Sequence, residues 1–298
     1  MSFSSKALHC FAFASIGTIA LTGCAQNTED GGAPTGDTVA VDESAELAAL
    51  VPEEIRSSGE LRIGTSPNYP PNEYIDSSGE ITGWSIDLTD AVAAKLGLEP
   101  DYVQSGFTQI LSGLGTGTYD MGDSSFTDTA EREEAVDFAT YFEAGTQWAS
   151  RAGEDVDPDN ACGLRVAGQP NTIQLTEDLP AKSAACVAAG DPPIEIQGYA
   201  DQAAATSAVI LGKADATLGD SPVVAYGVLK SEGALHLAGD VYAAAPYGWP
   251  VAKGSDLAPA LQAALQSLID DGTYLEILEQ WGVEGGAVSE SKINAATS

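Results

Sequence analysis

The residues best suited to chemistry lie between Ser124 and Phe138, where Ser124, Ser125, Thr127, Thr129 and Arg132 crowd together. An arginine is a scarce cation in a chain with 12 Lys+Arg against 44 Asp+Glu. Its planar guanidinium can grip a carboxylate through two parallel hydrogen bonds. Thr129 fits the N-cap of a helix through Ala135, which puts Arg132 in the first turn. Hydroxyls and unpaired backbone N–H groups at such a start can receive an anion. The same residues also fit a surface helix with Arg132 paired to Glu131 or Glu133.

The four cysteines divide by position. Lys6, the apolar run from Cys10 to Thr22 and the box Leu21-Thr22-Gly23-Cys24 read as a bacterial lipoprotein signal. On that reading residues 1–23 are a signal peptide and Cys24 is the lipidated first residue, held to a membrane by its acyl chains. An ordinary secretory signal that happens to carry a cysteine is the alternative. In an exported domain Cys162 and Cys186 have only each other, so a disulfide is expected. Closing that loop stabilises by about 3.5 kcal/mol in the chain-entropy picture. His236 is the one histidine beyond the signal, so neither a metal site nor a cofactor is expected.

Other motifs fail on context. Gly113-Leu114-Gly115-Thr116-Gly117 follows a helix and lacks the lysine of a phosphate loop. Ser289-Glu290-Ser291-Lys292 has a serine–lysine spacing but no companion motifs. A Ser-His-Asp arrangement would need His236, which reads better as a surface or half-buried residue.

The formal charge of −32 repels nucleic acid and anionic lipid, so neither is expected as a partner. At 298 residues and 44% hydrophobic content, the chain can build two modest domains. Residues 24–54, rich in Gly, Thr, Ala, Asp and Glu, read as the lipidated cysteine and a flexible acidic tether. From Leu61 onward strands and helices alternate. Leu61–Gly64, Ile81–Trp84, Pro100–Val103 and Tyr119–Met121 read as strands. Ile86–Leu96 and Phe107–Leu114 read as helices, with Gly97 as a stop. After Trp148 a second alternating unit begins, and helices close the chain at Leu257–Asp270 and Tyr274–Trp281. The alternation implies an α/β fold with a mostly parallel sheet.

Six stretches, in order, carry a resemblance. They are Gly64-Thr65 with Tyr69-Pro70-Pro71; Gly83-Trp84-Ser85-Ile86-Asp87-Leu88; Leu111 through Asp120; Thr129-Ala130-Glu131-Arg132 with Val136-Asp137-Phe138; Gly212 through Ala216 with Asp220; and Asp271-Gly272-Thr273-Tyr274 with Gln280-Trp281-Gly282. Over roughly residues 55 to 285 the chain resembles an extracytoplasmic solute-binding protein of a polar-amino-acid ABC importer. The family usually has an acid where Ser85 stands, an aromatic where Asn72 stands, and often a glycine where Asn171 stands.

The resemblance implies a two-lobed, periplasmic-binding-protein-like (Venus flytrap) fold with two strands crossing between lobes. Lobe one would comprise 55–147 plus 244–285, lobe two 148–243, and 286–298 a polar tail. It further implies that Arg132 binds a ligand α-carboxylate with Thr127 and Thr172, and that Asp220 pairs with the α-ammonium. Ser125 would also touch the ligand, and Tyr69 and Phe107 would flank its side chain. Plainer roles stay open: Asp220 as a cap before Ser221-Pro222, Tyr69 as a loop staple, Phe107 as core. Trp84, Trp148, Trp249 and Trp281 read as packing.

The function implied is a monomeric, lipid-anchored receptor on the outer face of the cell membrane. It would capture an extracellular amino acid and deliver it to an ABC transporter permease without catalysing a reaction. The rivals are a ligand-binding sensor module and a dehydratase-like enzyme on the same scaffold, with Asp123 or Glu73 moving the proton. Ser66 stands where cation-preferring relatives often place an acid, which tilts toward an uncharged side chain unless Glu73 or Asp123 supplies the acid.

Overall fold

The computed structural model describes residues 39–296. The expected signal peptide and the lipidated Cys24 lie outside the described residues. Two short helices, α1 (Ala45–Ala48) and α2 (Glu53–Ser58), come first. Here the flexible tether expected over 24–54 needs correction, because its described part, from 39 on, is docked. Val39, Val41 and Leu47 pack on the larger core and Val51 is buried in it. Ser44 accepts from Leu47 N and donates its own N–H to Lys95 O. A few apolar side chains suffice for this docking, and an averaged composition hides them.

The first lobe follows from strand–helix–strand units. In β1 (Glu60–Thr65), Leu61 and Ile63 are buried. A small sheet of β2 (Asn68–Tyr69), β3 (Glu73–Ile75) and β4 (Ile81–Thr82) stands beside it. Next come α3 (Trp84–Lys95), β5 (Glu99–Gln104), α4 (Phe107–Gly115) and β6 (Met121–Gly122). β1 lies between β5 and β6, parallel to both. Helix α3 starts at Gly83, with φ of 138°. A Cβ there would stand 2.0 Å from Asn72 O. Only glycine lets the helix come close enough for Trp84 N and Ser85 N to bond Pro71 O and Asn72 O. That contact sets the loop carrying Tyr69 and Glu73.

α5 (Ala130–Glu133) leads into the long strand β7 (Val136–Arg151). The second lobe holds β8 (Arg165–Gly168), a π-helical turn (Gln174–Asp178), α6 (Leu179–Ala189), β9 (Glu195–Gly198), α7 (Gln202–Ile210), β10 (Ala216–Asp220) and α8 (Ser221–Lys230). The slightly longer β11 (Leu235–Ala252) returns, followed by α9 (Leu257–Asp271) and α10 (Thr273–Trp281). The sheet order is β5-β1-β6-β11-β7-β10-β8-β9. β7 and β11 pair antiparallel from Leu235↔Arg151 to Ala252↔Val136, with register shifts between Ala238 and Ala245. One end of this pair carries β6, at Val251↔Met121, and the other carries β10, at Asp220↔Thr146. Two strands thus cross between two α/β lobes, as expected.

Each lobe has its own core. Trp84 packs 4.5 Å from Phe142, and Tyr141 stacks 4.5 Å from Trp249, in the first. Trp148, Val166, Leu179 and Leu218 fill the second, and the expected Cys162–Cys186 disulfide joins α6 to the segment before β8. Residues of the polar 286–298 segment, through 296, are fastened along β7. Thr140 N donates to Lys292 O, Ser291 Oγ to Thr140 O, and Ala295 N to Asp128 Oδ2 at 2.6 Å. Its polarity serves hydrogen bonding to the strand edge.

Replacing Cys162 and Cys186 together by serine is expected to lower unfolding stability by about 3 kcal/mol. A denaturant titration checks this, and an unchanged midpoint would mean that the enclosed loop is pinned by packing alone.

Candidate functional site

Between the lobes lies a narrow cavity of about 20 Å³, room for a water molecule. Arg132, Thr127, Ser125, Tyr69 and Phe107 line it from one lobe, and Thr172 and Asp220 from the other. All the binding residues expected from sequence therefore line one cavity. Ser66, Asn68, Glu73, Ser124, Gln169, Ile173 and Gln174 complete it.

Arg132 is positioned by its own helix start. Thr129 is extended and its hydroxyl accepts from Arg132 N at 3.2 Å. The helix ends at Glu133, short of Ala135, because β7 begins at Val136 and pairing with β11 takes over the backbone. Nη1 donates to Thr127 O at 2.8 Å. The guanidinium lies 5.6 Å from the Phe107 ring centre and 5.7 Å from that of Phe126. Those rings stack on each other at 4.4 Å, so Phe107 both packs and faces the cavity. Arg56, Arg62, Arg151 and Arg165 are each paired to an acid. Arg132 makes no such pair among the described residues, so pairing to Glu131 or Glu133 is not realised. Burial lowers its pKa, opposed first by the charge of Asp220. A half-buried cation without a counter-ion suits an incoming carboxylate.

Asp220 ends β10 and occupies the N-cap position of α8, yet its side chain makes no capping bond. Instead Oδ2 accepts from Tyr69 OH at 2.8 Å and Oδ1 from Gln174 Nε2 at 2.8 Å. The Tyr69 bond joins the two lobes across the cavity, so Tyr69 does more than staple its loop. Burial raises the Asp220 pKa, against the pull of Tyr247, Tyr69, Gln174 and the charge of Arg132.

A polar network lies deeper in the first lobe. Ser125, at φ 50°, donates to Glu73 Oε2 at 2.8 Å and accepts from Asn72 Nδ2 at 2.9 Å. Asn72 Oδ1 in turn accepts from Trp84 Nε1 at 2.7 Å. Glu73 Oε1 and Gln174 Oε1 are buried with no partner. Asp123 is not on the cavity wall. Ser85 donates to its Oδ1 and Thr89 to its Oδ2, the latter at 2.8 Å. Burial pushes Asp123 up to about 7, against those hydroxyls. Glu73 rises well above the usual carboxylate range, through burial first and then the charge of Asp123.

Across the cavity, Thr172 donates to Gln169 O at 2.8 Å and so shapes its own loop. Asn171 takes φ 66°, the left-handed turn that a glycine would make and that asparagine tolerates. Gln169 and Gln174 carried no sequence signal. Each is a single polar residue in a loop or first turn, and only the tertiary fold buries it. Among the described residues no cluster of His, Cys, Asp and Glu is placed to hold a metal ion.

Residues 61–284 match the family described as bacterial extracellular solute-binding proteins, family 3. The chain is 42% identical over 287 residues to the arginine-binding protein ArgT of Corynebacterium glutamicum, covering 94% of each. Among solved structures it is similar to the P235GK mutant of ArgBP from T. maritima, with a TM-score of 0.68 and 29% identity, covering 77% of this chain and 98% of that one. It also resembles an ancestral amino-acid-binding protein described as a precursor of cyclohexadienyl dehydratase. There the TM-score is 0.66 and the identity 30%, covering 78% of this chain and 99% of that one.

The raised pKa of Asp123 makes a stability prediction. A carboxyl whose folded pKa exceeds its unfolded one favours the fold while protonated, and that advantage is lost as pH rises through the folded value. Ligand-free stability should therefore fall between about pH 4 and pH 8, with Asp123 contributing up to about 4 kcal/mol. Thermal melts of the wild type and Asp123→Asn across this range check it. The variant should lose less stability on alkalinisation, and parallel profiles would contradict the assignment.

Proposed function

The chain belongs to the bacterial extracellular solute-binding proteins, family 3, and from that premise we propose that it captures a cationic amino acid for an ABC importer. The observation that carries this reading is Arg132, half-buried and without an acid partner, on a cavity whose far wall holds the buried Asp220. An amino acid leaving water needs each of its charges met by an opposite, hydrogen-bonded group, or desolvation is not recovered. Arg132 takes the α-carboxylate, with the Thr127 and Thr172 hydroxyls beside it. Asp220 takes the α-ammonium. Ser125 holds Glu73, and Tyr69 and Phe107 bound the space for the side chain. Because Arg132 and Asp220 belong to different lobes, the full set of contacts exists only in the closed form, and that difference drives closure.

The side chain is read by Glu73. The acid absent at Ser66 is supplied there, on the cavity wall, with Oε1 still free to accept. The name of the Corynebacterium relative points the same way, to arginine. Family membership makes the setting extracytoplasmic. Cys24 carries the lipid that anchors the protein to the outer face of the membrane, where it serves a permease as a monomer. No chemistry is performed. Asp123, one of the two alternative proton-transfer candidates of a dehydratase reading, is bonded by Ser85 and Thr89 and does not line the cavity.

A thermal-shift screen of the purified chain against the twenty amino acids tests the proposal. Arginine, and more weakly lysine, should raise the melting temperature. Calorimetry should then give a Kd for arginine weakened about 100-fold or more by Arg132→Ala and by Asp220→Asn. No shift with any amino acid, or one indifferent to Arg132, would send the search to a sensor or an enzyme.

A further inference from the structure

Two buried carboxyls sit in the first lobe, with no cation paired to them among the described residues. Glu73 is 1% exposed and Asp123 0%. The groups that act most strongly on them are neutral or acidic. Glu73 faces Tyr69, the Ser124 and Ser125 hydroxyls, Asp123, Tyr141 and, from the second lobe, Asp220. Asp123 faces Ser85, Thr89 and Asp90 of α3, Tyr102 of β5, Tyr141 of β7 and Trp249 of β11. Arg132, the cation of this cavity, acts on Asp220 and on Asp128. Glu73 reaches the cavity wall with Oε1 unpartnered, whereas Asp123 does not reach it.

We propose that the Glu73–Asp123 pair stores a proton in the empty protein and releases it to solvent when a cationic ligand side chain enters against Glu73. This rests on the amino-acid-capture reading above. Two buried carboxyls without a counter-ion do not both stay ionised, so the pair keeps a proton. An arriving guanidinium or ammonium supplies the missing charge and donors. The carboxyl O–H bond breaks, its proton passes to water, and the carboxylate accepts the N–H groups of the ligand. A neutral side chain brings no such charge and leaves the proton in place. The pair therefore sorts cationic from neutral amino acids through a proton as well as through contacts. By linkage, binding that releases one proton tightens about tenfold per pH unit over the range in which the empty pair holds it.

Titration calorimetry of the purified chain with L-arginine, in two buffers of widely different ionisation enthalpy, tests this directly. Near neutral pH the observed enthalpies should differ by an amount corresponding to about one released proton, and the Kd should fall up to about tenfold per pH unit. Glu73→Gln should abolish both effects, and Asp123→Asn should shift the pH range over which they occur. The wild-type titration decides the matter even if neither variant folds. Arginine binding with a buffer-independent enthalpy and a flat pH profile would overturn the proposal while leaving amino-acid capture intact. Binding only of neutral amino acids would overturn it equally. Failure of every amino acid to bind would remove the capture reading, and this inference with it.

Discussion

Charges buried between two lobes must find their opposites, and the site is built around that constraint. Arg132 and Asp220 face one cavity from elements that share only the long β7–β11 pair. Each lobe has its own core. The lobes also share a polar contact. Tyr69 donates to Asp220 across the cavity, and Gln174 holds the same carboxylate from within the second lobe. These bonds engage both carboxylate oxygens of Asp220, while Arg132 makes no ion pair among the described residues. On the proposed reading, an arriving zwitterion brings a carboxylate to Arg132 and an ammonium to Asp220.

The rest of the first lobe can be read as support for that arrangement. Gly83 permits the backbone contact between α3 and the Asn72 loop. Asn72 then bonds Trp84 and Ser125, and Ser125 bonds Glu73. The C-terminal segment ties Asp128 and β7 together close to the Arg132 helix. A chain of buried hydrogen bonds therefore fixes the positions of the groups that face the ligand, and removing one member leaves another buried and unsatisfied.

Much of this was legible in the sequence, for physical reasons that differ by residue. Alternating apolar runs announced the strand–helix units, and Thr129 announced the turn that aims Arg132, because caps and periodicity are local properties. The cysteine pair was readable by elimination. Local pattern did not reveal the docking of residues 39–54, which depends on a handful of apolar contacts to a distant core. Nor did it reveal Gln174, whose role exists only because β10 brings Asp220 beside it. The missing acid at Ser85 looked like a defect in the family pattern. In three dimensions Ser85 bonds Asp123 from the neighbouring strand end, so the acid is present at a different position in the chain.

The central claim is that both ends of an amino acid are matched by charge across the cavity. Comparing arginine with agmatine, which lacks the α-carboxylate, and with 5-guanidinopentanoate, which lacks the α-ammonium, tests it most directly. Titration calorimetry should show each analogue binding about 100-fold or more weakly than arginine, agmatine for want of a partner for Arg132 and the acid for want of one for Asp220. Either analogue binding as tightly as arginine would contradict the account.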